Sequence, residues 1–102
     1  MNKLIRDGLV AILYSPGYGA GWSTWNQEYP EMVFDSALAS LIEEEKYSEA
    51  EFYANLKWPD IYTGGLDQIR ICWLPAGTEF RINEHDGSET IEVKNKIDWL
   101  VA

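Results

Sequence analysis

Leu9-Val10-Ala11-Ile12-Leu13-Tyr14 is a short apolar, partly β-branched run, bounded by Gly8 on one side and by Pro16-Gly17 on the other. Such a run between turn residues predicts a buried strand. It delivers the chain into Ser15-Pro16-Gly17-Tyr18-Gly19-Ala20-Gly21-Trp22-Ser23-Thr24-Trp25-Asn26, where small, aromatic and hydroxyl residues crowd together. Glycines at 17, 19 and 21 allow positive φ and leave backbone N–H groups open to close approach. Tyr18, Trp22 and Trp25 set flat faces beside those amides, a combination suited to a phosphate carrying a base or another planar ring. The competing reading is a tight, aromatic-packed turn leaving the first strand. The spacing is neither G-x-G-x-x-G nor G-x-x-x-x-G-K-[ST], and no lysine lies nearby, so neither a dinucleotide fold nor a P-loop is indicated.

Beyond the loop, Pro30 disfavours helix at Tyr29. A first helix is expected from Asp35 or Ser36, either of which can accept from a free first-turn amide. Phe34, Ala37, Leu38, Leu41 and Ile42 recur at helical spacing and are expected to pack inward. Glu43-Glu44-Glu45 then faces water at a helix end that disfavours negative charge. A second helix is expected from Ser48, capped reciprocally with Glu51, with Phe52, Tyr53 and Leu56 as its apolar side and Trp58-Pro59 as its stop. Gly64-Gly65 reads as a turn or as a second small-residue loop able to approach a ligand. After it, Ile69, Ile71 and Trp73 alternate with Arg70, Cys72 and Leu74, and Pro75-Ala76-Gly77-Thr78 turns the chain. Phe80 and Ile82 then oppose Arg81 and Asn83 until Asp86-Gly87, the strongest hairpin signal present. Ile91 and Val93 continue the apolar face, and Ile97-Asp98-Trp99-Leu100-Val101 is apolar enough to dock. The expected fold is α+β: one N-terminal strand, two short helices and a C-terminal antiparallel β-meander, in a single domain over 1–102.

Composition narrows the function classes. With 46% hydrophobic and 14% aromatic residues the chain is too apolar for disorder. Five tryptophans in 102 residues exceed what a small core hides, which places one or two at a pocket or a subunit interface and makes a homo-oligomer the expectation. A single cysteine, Cys72, rules out an internal disulfide or a Cys-based zinc cluster and suits a reducing cytoplasm. No stretch reaches membrane-spanning length. The net charge is −9, and residues 28–60 hold nine of the seventeen acids against two lysines. That balance argues against direct nucleic-acid or anionic-membrane binding. It leaves a solvated helical face, or a surface that mimics nucleic acid or docks on a basic partner.

Catalytic groupings are scarce. His85, the only histidine, sits between Glu84 and Asp86 at the hairpin and reads as an exposed turn residue. Nothing distinguishes Ser15, Ser23 or Ser88 as a nucleophile, Cys72 reads as a small packed residue, and no carboxylate pair stands out. No catalytic residue, metal or cofactor is therefore expected. Binding chemistry remains. Arg70 and Arg81 fall on strands expected to be neighbours, opposite the large apolar side chains, where two guanidiniums can fork onto phosphate oxygens. The alternative is a pair of cross-strand salt bridges to Glu92 or Glu79. Asn83, beside Arg81, adds a donor and an acceptor. The expected ligand site is thus Gly17, Tyr18, Gly19, Gly21, Trp22, Trp25, Arg70, Arg81 and Asn83.

Ser15 through Trp22 with Trp25, together with Gly64-Gly65-Leu66-Asp67 and Pro75-Ala76-Gly77-Thr78-Glu79-Phe80-Arg81-Ile82, resembles a group of small proteins encoded by bacteriophages. The likeness spans nearly the whole chain, and no residue role carries over from it. Compact acidic phage proteins include counter-defence factors: oligomeric sponges for cyclic-nucleotide or ADP-ribose-type immune signals, and inhibitors that touch host enzymes directly. The resemblance thus implies non-enzymatic sequestration of a phosphorylated, nucleotide-like molecule in the cytoplasm of an infected host. The alternatives are an acidic inhibitor that binds a basic host-protein surface, and a small nucleotide hydrolase using His85.

Overall fold

The computed structural model describes residues 3–94, so the expected docking of Ile97–Val101 lies outside the described residues. Along the chain run β1 (Ile5–Arg6), β2 (Leu9–Tyr14), 3-10 turns at Ser23–Trp25 and Pro30–Val33, α1 (Ser36–Glu43) and α2 (Tyr47–Lys57). A 3-10 turn at Leu66–Gln68, β3 (Arg70–Pro75), β4 (Phe80–His85) and β5 (Ser88–Val93) follow. The α+β class and the order of helices and strands are those expected. β1 is an addition, joined to β2 by Asp7-Gly8, whose φ values of 51° and 77° repeat the 50° and 83° of Asp86-Gly87 between β4 and β5. Two consecutive positive φ angles mark the two-residue hairpin turn that Asp-Gly favours.

The strands form two sheets. β2 pairs antiparallel with β1 and with β3, from Leu9↔Pro75 to Tyr14↔Arg70, while β4 and β5 pair with each other from Phe80↔Val93 to His85↔Ser88. β3 thus finds its partner far back in sequence, because the apolar run of β2 needs a neighbour along its length.

Alternation along β2 and β3 then makes three layers. Ala11, Leu13, Ile71 and Trp73 face the helices and join Trp22, Met32, Leu38, Ile42, Ala54 and Trp58 in the larger core. Val10, Ile12, Cys72 and Leu74 face the other way, onto Phe80, Ile82 and Ile91 of the β4–β5 hairpin. A strand covered on both faces needs apolar residues at every position, which is why β2 reads as a continuous run.

Asp35 caps α1 by accepting from the Leu38 amide at 2.9 Å, as expected. The same carboxylate accepts from Tyr53 Oη at 2.8 Å and pairs with Lys57, tying α2 to the start of α1. Burial and the hydrogen bond to Asp35 raise the Tyr53 pKa, and the bond to Asp35 raises that of Lys57. α2 departs from expectation in two ways. It starts at Tyr47 after Lys46, with no side-chain cap, so the Ser48–Glu51 capping pair does not form. Its packed face is Ala50 and Ala54, both fully buried, whereas Phe52 and Leu56 point into solvent. Small residues let the helix lie close on the core, and Tyr53 and Trp58 fill the space around them.

Candidate functional site

The glycine loop docks on the β4–β5 turn. Gly19 N donates to Asp86 O at 2.6 Å, Gly21 N to Gly87 O at 2.9 Å, and Ala20 N to Gly17 O at 3.2 Å. The contact is backbone on backbone: a Cβ on Gly87 would lie 2.8 Å from Gly19 N, so only glycine fits there. On the far side, Gly64 presses on Ala20, where a Cβ would come within 2.3 Å of Cα, and donates to Ala20 O at 3.0 Å. Asn26 closes this side, exchanging two hydrogen bonds with the Tyr62 backbone.

Glu89 holds the whole arrangement. Its side chain is completely buried and accepts from Ser15 N at 3.0 Å, Trp22 N at 2.9 Å, Thr24 N at 3.1 Å and Thr24 Oγ1. A carboxylate is removed from water only where donors converge on it, and here three amides and a hydroxyl do so. Sequence reasoning did not single out Glu89. The signal was there: residue 89 shares the strand face of Ile91, where an acid that is buried must find donors.

The residues expected to form one ligand site fall in three places. The amides of Gly19 and Gly21 serve the hairpin contact, and Gly17 is half-buried beside Gln68. Trp22 is a core residue, 1% exposed, edge-on to Trp58 at 6.0 Å and donating its indole N–H to Met32 O. Tyr18 and Trp25 are exposed on the loop's outer side. Arg70, on the sheet face that meets the hairpin, donates to the carbonyls of Asp67 and Ile69. Arg81 and Asn83 lie on the hairpin face turned away from that sheet, both donating to Glu92 Oε2, at 2.6 and 2.8 Å. Arg70 and Arg81 belong to different ladders, so strand pairing does not bring them together as expected. The Arg81 bond raises the arginine's pKa and, with Asn83, lowers that of Glu92.

His85 is exposed, 3.5 Å from Asp86 and 6.5 Å from the Tyr18 ring. Burial raises the Cys72 thiol pKa, which makes it a poor nucleophile. Among the described residues no group of three or more His, Cys, Asp or Glu is placed to hold a metal ion, and no helix is long and apolar enough to cross a membrane.

A third region lies within the acidic segment 28–60 that sequence offers as a docking surface, but with Phe52 and Leu56 turned outward where sequence expects them packed. Phe52 is 70% exposed and Leu56 68%, one helical turn apart on α2. Glu49, Phe52 and Leu56 share one stripe at i, i+3 and i+7, with Glu51 beside it and Glu45 just before the helix, all exposed. Glu43 is engaged by Arg6 and Glu44 by Lys46, while Lys57 is held by Asp35. Two large apolar side chains therefore stand in water beside carboxylates. No protein-family model, curated protein or solved structure matches the chain.

Proposed function

We propose that this chain is a non-enzymatic binding protein whose α2 surface docks on a basic face of another protein. The observation that carries this reading is the outward placement of Phe52 and Leu56 near Glu49 and Glu51 on the same helix, with the exposed Glu45 in the turn before it. Exposed phenylalanine and leucine in contact range make the apolar centre of a protein interface, and charge around them steers the approach of an oppositely charged partner. A second copy of this chain would bring like charges together, so the occupant is a basic protein with an apolar recess. Taken with the resemblance to small bacteriophage-encoded proteins, the partner on this reading belongs to an infected host. The nucleotide reading depends on free loop amides and converging guanidiniums. The amides of Gly19 and Gly21 and the guanidinium of Arg81 already have partners within the fold.

The test is affinity capture from bacterial lysate with the full chain, beside a Phe52→Ser/Leu56→Ser variant and a Glu45→Gln/Glu49→Gln/Glu51→Gln variant. A protein retained by the parent, lost by both variants and released as salt shortens the screening length from about 10 Å to about 3 Å is the expected result. Retention by both variants, with loss only on Arg81→Ala, contradicts the reading.

A further inference from the structure

Two exposed rings meet at the glycine loop, Trp25 on it and Tyr62 from the segment after α2. The Trp25 ring lies directly on Gly21, where a Cβ would come within 2.3 Å of Cδ2. It stands 5.0 Å from the Tyr62 ring, centroid to centroid, at 50°. Tyr62 is fixed in turn by its hydroxyl, which donates to Gly19 O at 2.7 Å. Bare main chain at Gly21 thus lets the Trp25 ring lie close on the loop, while Trp25 stays 39% and Tyr62 48% exposed.

Holding two large rings at a surface in fixed orientation, each partly in water, leaves ring surface open to a ligand. The nearby backbone gives an anion little to bind, because the amides of Gly19, Ala20, Gly21 and Trp22 all donate within the fold. Ring faces are electron-rich and attract a cation held within about 6 Å of the centroid. The net charge of −9 draws cations toward the molecule and repels phosphates.

We infer that Trp25 and Tyr62 form a recognition site for an organic cation with an alkylammonium or guanidinium head. The head packs on the indole and phenol faces without an ion pair. Two sources carry this chemistry, a free small cation and an arginine side chain of another protein. The site uses no residue of α2, so it stands or falls apart from the docking surface described above.

The experiment is a proton–nitrogen NMR titration of the full chain with agmatine, with an arginine hexapeptide and with AMP, following the Trp25 indole and Tyr62 amide signals. Agmatine is expected to move both signals at lower concentration than AMP. Trp25→Leu is expected to weaken binding by about two- to thirtyfold, the span between exposed and desolvated contacts of this kind, and Trp25→Phe to recover part of the loss. Equal response to agmatine and the peptide per guanidinium assigns a free cation, whereas response to the peptide alone assigns a protein side chain. Tighter binding of AMP at these signals, or no response to either cation, overturns the inference. Both comparisons use the unaltered protein, so the outcome does not depend on how a variant folds.

Discussion

Glu89 shows how one side chain sets the geometry of a loop twelve residues long. Glu89→Gln keeps the shape but puts an NH2 group where the carboxylate accepts from amides, leaving buried donors unpaired. Hydrogen bonds to a charged acceptor contribute about 1.5–3 kcal/mol, so the variant is expected to lose at least that much stability. In a domain of this size such a loss lowers Tm by roughly 10 °C, which calorimetry would read directly. Glu45 is the opposite case. It sits at φ 59° just past α1, where Glu45 N donates to Ile42 O and Lys46 N to Leu41 O, the position glycine usually fills. Glu45→Gly is expected to raise stability in chemical denaturation by about 0.5–1 kcal/mol. A negative charge kept in a strained position at that cost fits a surface where the charge is used.

Elements were legible where local chemistry and tertiary packing agree. Asp86-Gly87 announced its hairpin. Asp7-Gly8 carries the same dipeptide and makes the same turn, but the strand before it is only two residues long, too short to leave an alternating pattern. Asp35 was readable as the cap of α1 because an N-cap is a local hydrogen bond. The pairing of β3 with β2 was not readable, since it joins positions about sixty residues apart and depends on which faces need cover. α2 misled for a related reason. It has two apolar stripes, and size favours Phe52 and Leu56 as the packed one, whereas close helix packing selects Ala50 and Ala54. The tie between α2 and α1 gives a pH prediction. Tyr53 and Lys57 hold their protons more tightly folded than at their ordinary values of 10.0 and 10.5. Their contribution to stability is therefore complete below those values and is lost as pH rises through the raised folded ones. Tm is expected to fall between about pH 9.5 and about pH 11, and Lys57→Met is expected to make that fall shallower.

At the scale of the molecule, a sheet covered by helices on one face and a hairpin on the other buries or half-buries most of its large apolar residues. Against that background the exposure of Phe52 and Leu56 stands out, and so does the acidity concentrated around α2. Of the expected ligand site, the glycine loop was correctly seen as unusual. Its glycines prove to serve contact between two turns, a role that looks the same in sequence as contact with a phosphate. Gly64→Ala probes that contact: its Cβ would meet the Ala20 backbone, and overpacking of this kind costs about 1–3 kcal/mol, read as a lower denaturation midpoint.

The most direct test of α2 as the docking surface is the NMR footprint of the captured basic partner on this chain. The Phe52 ring and Leu56 methyl signals are predicted to shift or broaden on binding, while the Gly19 and Gly21 amides, engaged with the hairpin, stay where they are. Shifts centred on residues 17–22 and Arg81, with Phe52 and Leu56 unmoved, would contradict it.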